Sequence, residues 1–361
     1  MTPTMRCRSA RIISLSIVAA TFALAPLLAW DYEGHRIVNR LAVASLPKEY
    51  PQFVHAVANV ERVAFLAGEP DRWRNAPDLP LKQSGGSWTD HFCDLEYLPA
   101  AGIDLDTVTS FRYDFIVQFA AGRAKHAQNF SPIDPAKNLD HTAEWPGFAP
   151  WAITEYFGRL RSAFSYLKVF EELGTPDEIL NAQANVLYVM GTMGHYVGDL
   201  AQPLHTTKHF NGWVGDNPKG YTTGRGLHSW IDGGITNKTG LSFEGIRSRV
   251  QPAQAITLAP RPDGRDPMFV AVFDYLRAQH RHVEPLYQLD KDGKLGQGEG
   301  TVAPEARAFI EARLLDGGRM LSAIWLTAFR SAGPDTFLRS ALIKRQTGAA
   351  AAPAAPAKTA P

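Results

Sequence analysis

Apolar residues in this chain recur at the 3.6-residue period of a helix over four stretches, and the alternation of a half-buried strand is scarce. Ile37, Val38, Leu41 and Ala44 follow Gly34 at that spacing, and Ile153, Tyr156, Phe157, Leu160, Phe164 and Leu167 keep it over a longer run. Leu180, Val186, Leu187, Met190 and Val197 mark a third helix, and Phe309, Leu321, Ile324, Trp325 and Phe329 a late one. A helix with one apolar face must bury it against other elements, so a mainly α fold is expected, as a single-domain helical bundle. Gly- and Pro-rich stretches at 76–88, 211–226 and 289–300 predict long loops between helices. A content of 45% hydrophobic and 20% charged residues belongs to a folded chain, and neither an internal repeat nor a Pro/Ser linker divides the core.

Both ends differ from this pattern. Arg6, Arg8 and Arg11 precede an apolar run from Ile12 to Leu24, and Ala25 to Ala29 forms a small-residue cleavage region. This reads as an export leader over residues 1–29, cut after Ala29 to leave Trp30 first, with secretion or a periplasmic location as the destination. An uncleaved membrane anchor is the alternative, but Ser14, Ser16, Thr21 and Pro26 interrupt the run. At the other end residues 346–361 become almost wholly Ala and Pro, which predicts a disordered tail.

Losing the three leader arginines turns 37 basic and 36 acidic residues into 34 and 36, a formal −2. No basic stripe remains to grip nucleic acid over a long footprint, so any phosphate binding must be local. Cys7 leaves with the leader and Cys93 stands alone, which excludes an intramolecular disulfide and leaves packing or metal as the source of stability. Cys93 is read as a small buried hydrophobe.

Five of the polar residues best suited to bind metal fall within 38 positions: His195, Asp199, His205, His228 and Asp232. His195 and Asp199 are four apart in a helical segment and share a face; His205 follows Pro203, where that helix should end; His228 and Asp232 repeat the four-residue spacing. His35, Asp71 and His91 stand upstream. Imidazole and carboxylate are the zinc ligands available when thiolate is absent, and two or three ions sharing a carboxylate would suit phosphate-ester hydrolysis. A single His/Asp pair is more often a surface pair; the density is what points to a multi-metal site.

The run Gly194-His195-Tyr196-Val197-Gly198-Asp199-Leu200-Ala201-Gln202-Pro203-Leu204-His205 resembles the signature of the zinc phospholipase C and S-one/P-one type nuclease superfamily. Leu227-His228-Ser229-Trp230-Ile231-Asp232 resembles its second signature, Trp30 with His35 the mature start of the nucleases, and His91-Phe92-Cys93-Asp94 their His-aromatic-x-Asp element. The resemblance implies a helical bundle with long loops around a trinuclear zinc cleft, in a phosphoesterase domain spanning residues 30–345. It assigns Asp71, His91, His195 and one oxygen of Asp199 to a first zinc, and His205, His228 and Asp232 to a second. The third would take the α-amine and carbonyl of Trp30, His35 and the other oxygen of Asp199.

By the same resemblance Asp94 orients or deprotonates the attacking water, Arg74 neutralises charge in the transition state, and Phe92 stacks a base. A surface salt bridge for Arg74 and core packing for Phe92 are the plainer alternatives. Asp106 and Asp78 are poorer substitutes for Asp71, since neither has the arginine three residues on. His209 reads as a solvated loop residue or a support for the ligands, Asp140-His141 as a turn, and His280 and His282 as surface residues. Three departures stand out: a long insertion around residues 98–151 that would wall or cover the site, a stretched interval from Asp71 to His91, and a 211–221 loop without the Gly-Gly-Asn pattern.

The implied activity is zinc-dependent hydrolysis of single-stranded DNA or RNA to 5′-nucleotides, with 3′-nucleotidase action on nucleotide substrates. A phospholipase C acting on phospholipid is the first alternative, and a non-catalytic zinc-binding protein of this fold the second. No stable membrane anchor after cleavage and no protein partner is expected.

Overall fold

The structure, a computed structural model, describes residues 30–83 and 88–351. The leader 1–29 lies outside the described residues, as do 84–87 and 352–361. Helix α1 (Tyr32–Ser45) begins where it does because the Asp31 carboxylate caps it, accepting the Gly34 N–H at 3.1 Å. After α2 (Val57–Leu66) and α3 (Glu69–Asn75), the insertion contributes α4 (Arg112–Lys125). The two long central helices are α5 (Ala149–Leu173) and α6 (Pro176–Ala201).

Helix α6 starts at a capping box, in which Thr175 and Glu178 satisfy each other's backbone N–H, with Pro176 at its first position. It stops at Ala201 because Pro203 has no N–H to continue the ladder. Helices α7 (Pro267–His280), α8 (Pro304–Ser331) and α9 (Thr336–Ala351) complete the bundle. Among the described residues no β-strand occurs, so the fold is mainly α as the periodicity predicts. Helix α9 carries the chain past residue 345, into the start of the expected tail.

The core forms where α1 crosses α6 and α8, while α5 packs along α6 and α2 lies across it. Trp30, Tyr50, Tyr196 and Trp325 are fully buried there. Two glycines of the long motif explain how closely α1 and α6 approach. A Cβ on Gly194 would lie 1.7 Å from Asn39 Oδ1, and one on Gly198 would lie 2.8 Å from His35 Nδ1. Buried Asn39 then bridges three elements, its amide donating to Val63 O at 2.8 Å and to Gly191 O at 3.1 Å. Leu180 is helical as expected but exposed, because Ile179 and Ala182 take the inward face of the first turns of α6 and Leu180 faces solvent. No helix among the described residues is long and apolar enough to cross a membrane.

Candidate metal centre

Helix α6 supplies His195 and Asp199 one turn apart, and the other ligand-type side chains arrive on separate elements, several tied to one another by backbone bonds. The segment 91–95 is held on two sides. Cys93 N–H donates to His205 O at 2.9 Å and Leu95 N–H to Thr206 O at 3.1 Å, on one side. On the other, Asp94 N–H donates to Pro146 O at 2.6 Å and Ala149 N–H to Phe92 O at 3.2 Å. The insertion therefore grips the His91–Asp94 element directly. His228 sits in a short turn, Leu227–Ser229, and Asp232 in a π-helical turn, Trp230–Gly234.

Three groups of buried side chains converge closely enough to hold a cation: His91, His195 and Asp199; His205, His228 and Asp232; and His35, Asp71 and His195. The first two match the expected sets. Asp71 belongs with them, its Oδ1 lying 3.7 Å from His195 Nε2 and 4.0 Å from His91 Nδ1. Asp199 lies between groups: Oδ2 is 3.0 Å from His91 Nδ1 and 3.3 Å from His195 Nε2, while Oδ1 is 3.4 Å from His35 Nε2. Trp30 is buried next to Asp31, whose N–H donates to Asp232 O at 2.8 Å, so the 30–35 segment meets the second group.

The tautomers can be read from carbonyl partners, which only accept. His195 Nδ1 lies 2.7 Å from Ala67 O, His205 Nδ1 2.8 Å from His91 O, and His228 Nδ1 3.1 Å from Phe210 O. Each ring therefore carries its proton on Nδ1 and turns Nε2 toward the centre. His205 Nε2 and His228 Nε2 then face each other at 3.1 Å, lone pair to lone pair, and His228 Nε2 is 3.1 Å from Asp232 Oδ2. That arrangement is repulsive unless a proton or a cation is shared. Two ligands of a tetrahedral zinc at its usual bond lengths are about 3.3 Å apart, close to these separations.

Orphaned atoms give the same indication. Both ring nitrogens of fully buried His35, together with His91 Nε2 and Asp199 Oδ1, lack a hydrogen-bond partner. Such groups are costly without a partner. The all-nitrogen-and-oxygen donor set thus fits zinc.

Electrostatics agrees in direction. Burial first, then the neighbouring imidazoles and Arg74, pushes His35, His91 and His205 well below the usual histidine range, so they are neutral. Burial opposes protonation of His195 and His228 too, but Asp199 and Asp71 outweigh it at His195, and Asp232 at His228, so both move up. Burial raises Asp199 to about 6.

A cavity of about 580 Å³ opens onto this cluster. Arg74, His91, Phe92, Asp94, His205 and His228 line it, which brings the three remaining sequence-predicted residues to the same place. Arg74 is buried, pairs with Asp71 Oδ1 at 2.8 Å and lies over the Trp88 ring at 4.8 Å. It is neither a surface residue nor a surface bridge. Phe92 is half-buried on the cavity wall. Burial, with Glu96 nearby, pushes the Asp94 carboxyl well above its usual range.

The insertion walls the site, as expected. Asp140, Thr142 and Trp145 line the cavity from a self-bonded loop in which Asn138 donates to Glu144 and Arg123 to Glu144 O.

Several readings need correction. His209 is buried and stacks on Trp213 at 3.9 Å, because the 211–221 loop folds back over it. His280 is half-buried, with Nδ1 2.9 Å from Thr206 O, since α7 packs behind the His205 turn. His282 too is half-buried, edge-on to Phe309. Gln202, inside the long motif yet not singled out, donates to Asp232 Oδ1 at 2.8 Å and accepts from Leu204 N–H. Its position between Asp199 and His205 in the chain is the available signal. No protein-family model matches the chain, and no curated protein matches it.

Proposed function

We propose that the chain is a secreted zinc-dependent phosphodiesterase that hydrolyses single-stranded nucleic acid. The observation that carries this reading is the presence of three buried His/Asp groups, two of them sharing His195, beside one cavity that also holds Asp94, Arg74 and Phe92. Asp71, His91, His195 and one Asp199 oxygen would hold one ion; His205, His228 and Asp232 a second; Trp30, His35 and the other Asp199 oxygen a third. Zinc, when bound, supplies Lewis acidity that makes water a competent nucleophile near neutral pH and balances the charge of phosphate oxygens.

The protein's own groups do the rest. Asp94 accepts the proton that the attacking water gives up, and its raised proton affinity suits that task. The Arg74 guanidinium, held by Asp71 and Trp88, faces the charge that grows on the equatorial oxygens. Phe92 offers a flat apolar face to a base, and Trp145 adds an aromatic wall from the insertion. The cavity is recessed and lined by ligand edges, which suits a flexible single strand better than a duplex.

The test is zinc-loaded protein assayed side by side on single-stranded DNA, RNA and phosphatidylcholine, with a chelator control. Chelator-sensitive release of 5′-nucleotides supports the proposal. Release of phosphocholine alone replaces it with a phospholipase C, and tightly bound zinc with no turnover replaces it with a binding protein.

A further inference from the structure

Asp31 joins Trp30, the start of α1 and the Asp232 turn. Its N–H donates to Asp232 O at 2.8 Å, and its Oδ1 accepts the Gly34 N–H at 3.1 Å. Its Oδ2 accepts from Asn237 Nδ2 at 3.2 Å, in the helix Ile235–Thr239 that continues the Asp232 turn. The carboxylate also packs close against Gly233, where a Cβ would come within 2.6 Å of Oδ2.

The other ligand-type histidines are fixed by their own tethers. His195, His205 and His228 each donate from Nδ1 to a backbone carbonyl, and the segment that carries His91 is held by the Cys93 N–H bond to His205 O at 2.9 Å. His35 has no hydrogen bond at either nitrogen: it stacks on His195 at 3.9 Å, and its Nε2 lies 3.4 Å from the shared Asp199 Oδ1. Its position therefore depends on α1, and the first turn of α1 depends on Asp31.

We propose that Asp31 is a positioning residue that clamps the Trp30–His35 end of the chain onto the Asp232 turn, so that one ion of the cluster is retained only while this clamp is closed. The proposal rests on the zinc reading above. Losing the side-chain half of the clamp leaves only the Asp31 N–H bond to Asp232 O and loosens Trp30 and His35 together, whereas His205, His228 and Asp232 keep their independent bonds to His91 O, Phe210 O and Gln202. The weakened ion is thus the one next to His35. Loss of an outer support of this kind weakens metal affinity by about 10- to 100-fold.

Substitutions can separate capping from clamping. Asp31→Ser still caps Gly34 but is too short to reach Asn237; Asp31→Asn has the length for both, its Oδ1 capping Gly34 and its Nδ2 donating to Asn237 Oδ1 once that amide turns over; Asp31→Ala has neither. The full chain is expressed with its leader left for the host to remove. Zinc per chain is measured by elemental analysis after equilibrium dialysis, and release rates with a chromophoric chelator. Wild type and Asp31→Asn are expected to hold three ions, and Asp31→Ser and Asp31→Ala two, the third released at least tenfold faster.

Asn237→Ala carries the test if Asp31→Ala fails to fold, and it too is expected to release the third ion faster. Three ions with wild-type release in Asp31→Ser overturns the clamp and leaves Asp31 as a helix cap. Loss of an ion in Asp31→Asn assigns the effect to charge and also overturns it. Wild-type protein without zinc removes the zinc reading itself, and this inference with it.

Discussion

Replacing Gly198 by Ala puts one methyl group against one ring. The new Cβ would stand 2.8 Å from His35 Nδ1 and 3.3 Å from its Cε1, whereas ordinary contact begins at 3.4 Å, so the ring must retreat by about 0.6 Å. It has little room to do so, since its face is stacked on His195 at 3.9 Å with 22° between the planes. For the metal-free fold the two consequences nearly offset. Ala favours a helix interior by about 0.8–1.0 kcal/mol over Gly, and overpacking costs roughly 1–3 kcal/mol. The net change should lie between about zero and 2 kcal/mol of destabilisation.

For the metal the consequences do not offset. Ligand distances must be met within about 0.2 Å, three times tighter than the displacement. Gly198→Ala should therefore melt within a few degrees of wild type without zinc, yet bind one ion at least about tenfold more weakly. Scanning calorimetry of metal-free protein and zinc titration with a competing chelator read the two effects separately. Unchanged affinity for all ions would refute the placement of His35 as a ligand against α6.

The second motif glycine should behave in the opposite way. A Cβ on Gly194 overlaps Asn39 Oδ1 outright at 1.7 Å, so Gly194→Ala should break the Asn39 bridge and cost about 2–4 kcal/mol in metal-free unfolding, measured by urea titration. Removing metal with chelator should lower the melting temperature by upward of about 5 °C, because each ion at a hundredfold excess over its Kd contributes about 2.7 kcal/mol. Zinc affinity should fall as pH drops through about 6: burial raises Asp199 to about 6, so below that pH a cation must displace its proton. Isothermal titration at pH 5, 6 and 7 checks this, and affinity independent of pH would contradict the role of Asp199. Phe92→Ala should leave zinc content unchanged and raise KM for oligonucleotide by about 5- to 100-fold, the worth of one stacked base, in steady-state assays.

Much of the architecture was legible in the chain itself. The 3.6-residue period located α1, α5, α6 and α8, because a helix buries one face and repeats it locally. Pro203 marked the end of α6, and the crowding of His and Asp between His195 and Asp232 marked the centre, because carboxylate and imidazole at i and i+4 necessarily share a helix face. Neighbours distant in the chain were not legible. His209 and His280 looked solvated because nothing local announces that Trp213 or the turn after His205 will cover them. The roles of Gln202, Asn39 and Asp31, and the grip of residues 146–149 on the His91–Asp94 element, exist only once separate segments are packed together. Composition and periodicity determine which residues are able to bury themselves or bind a cation; the packing of α1 on α6 decides which nitrogen faces which oxygen, and over what distance.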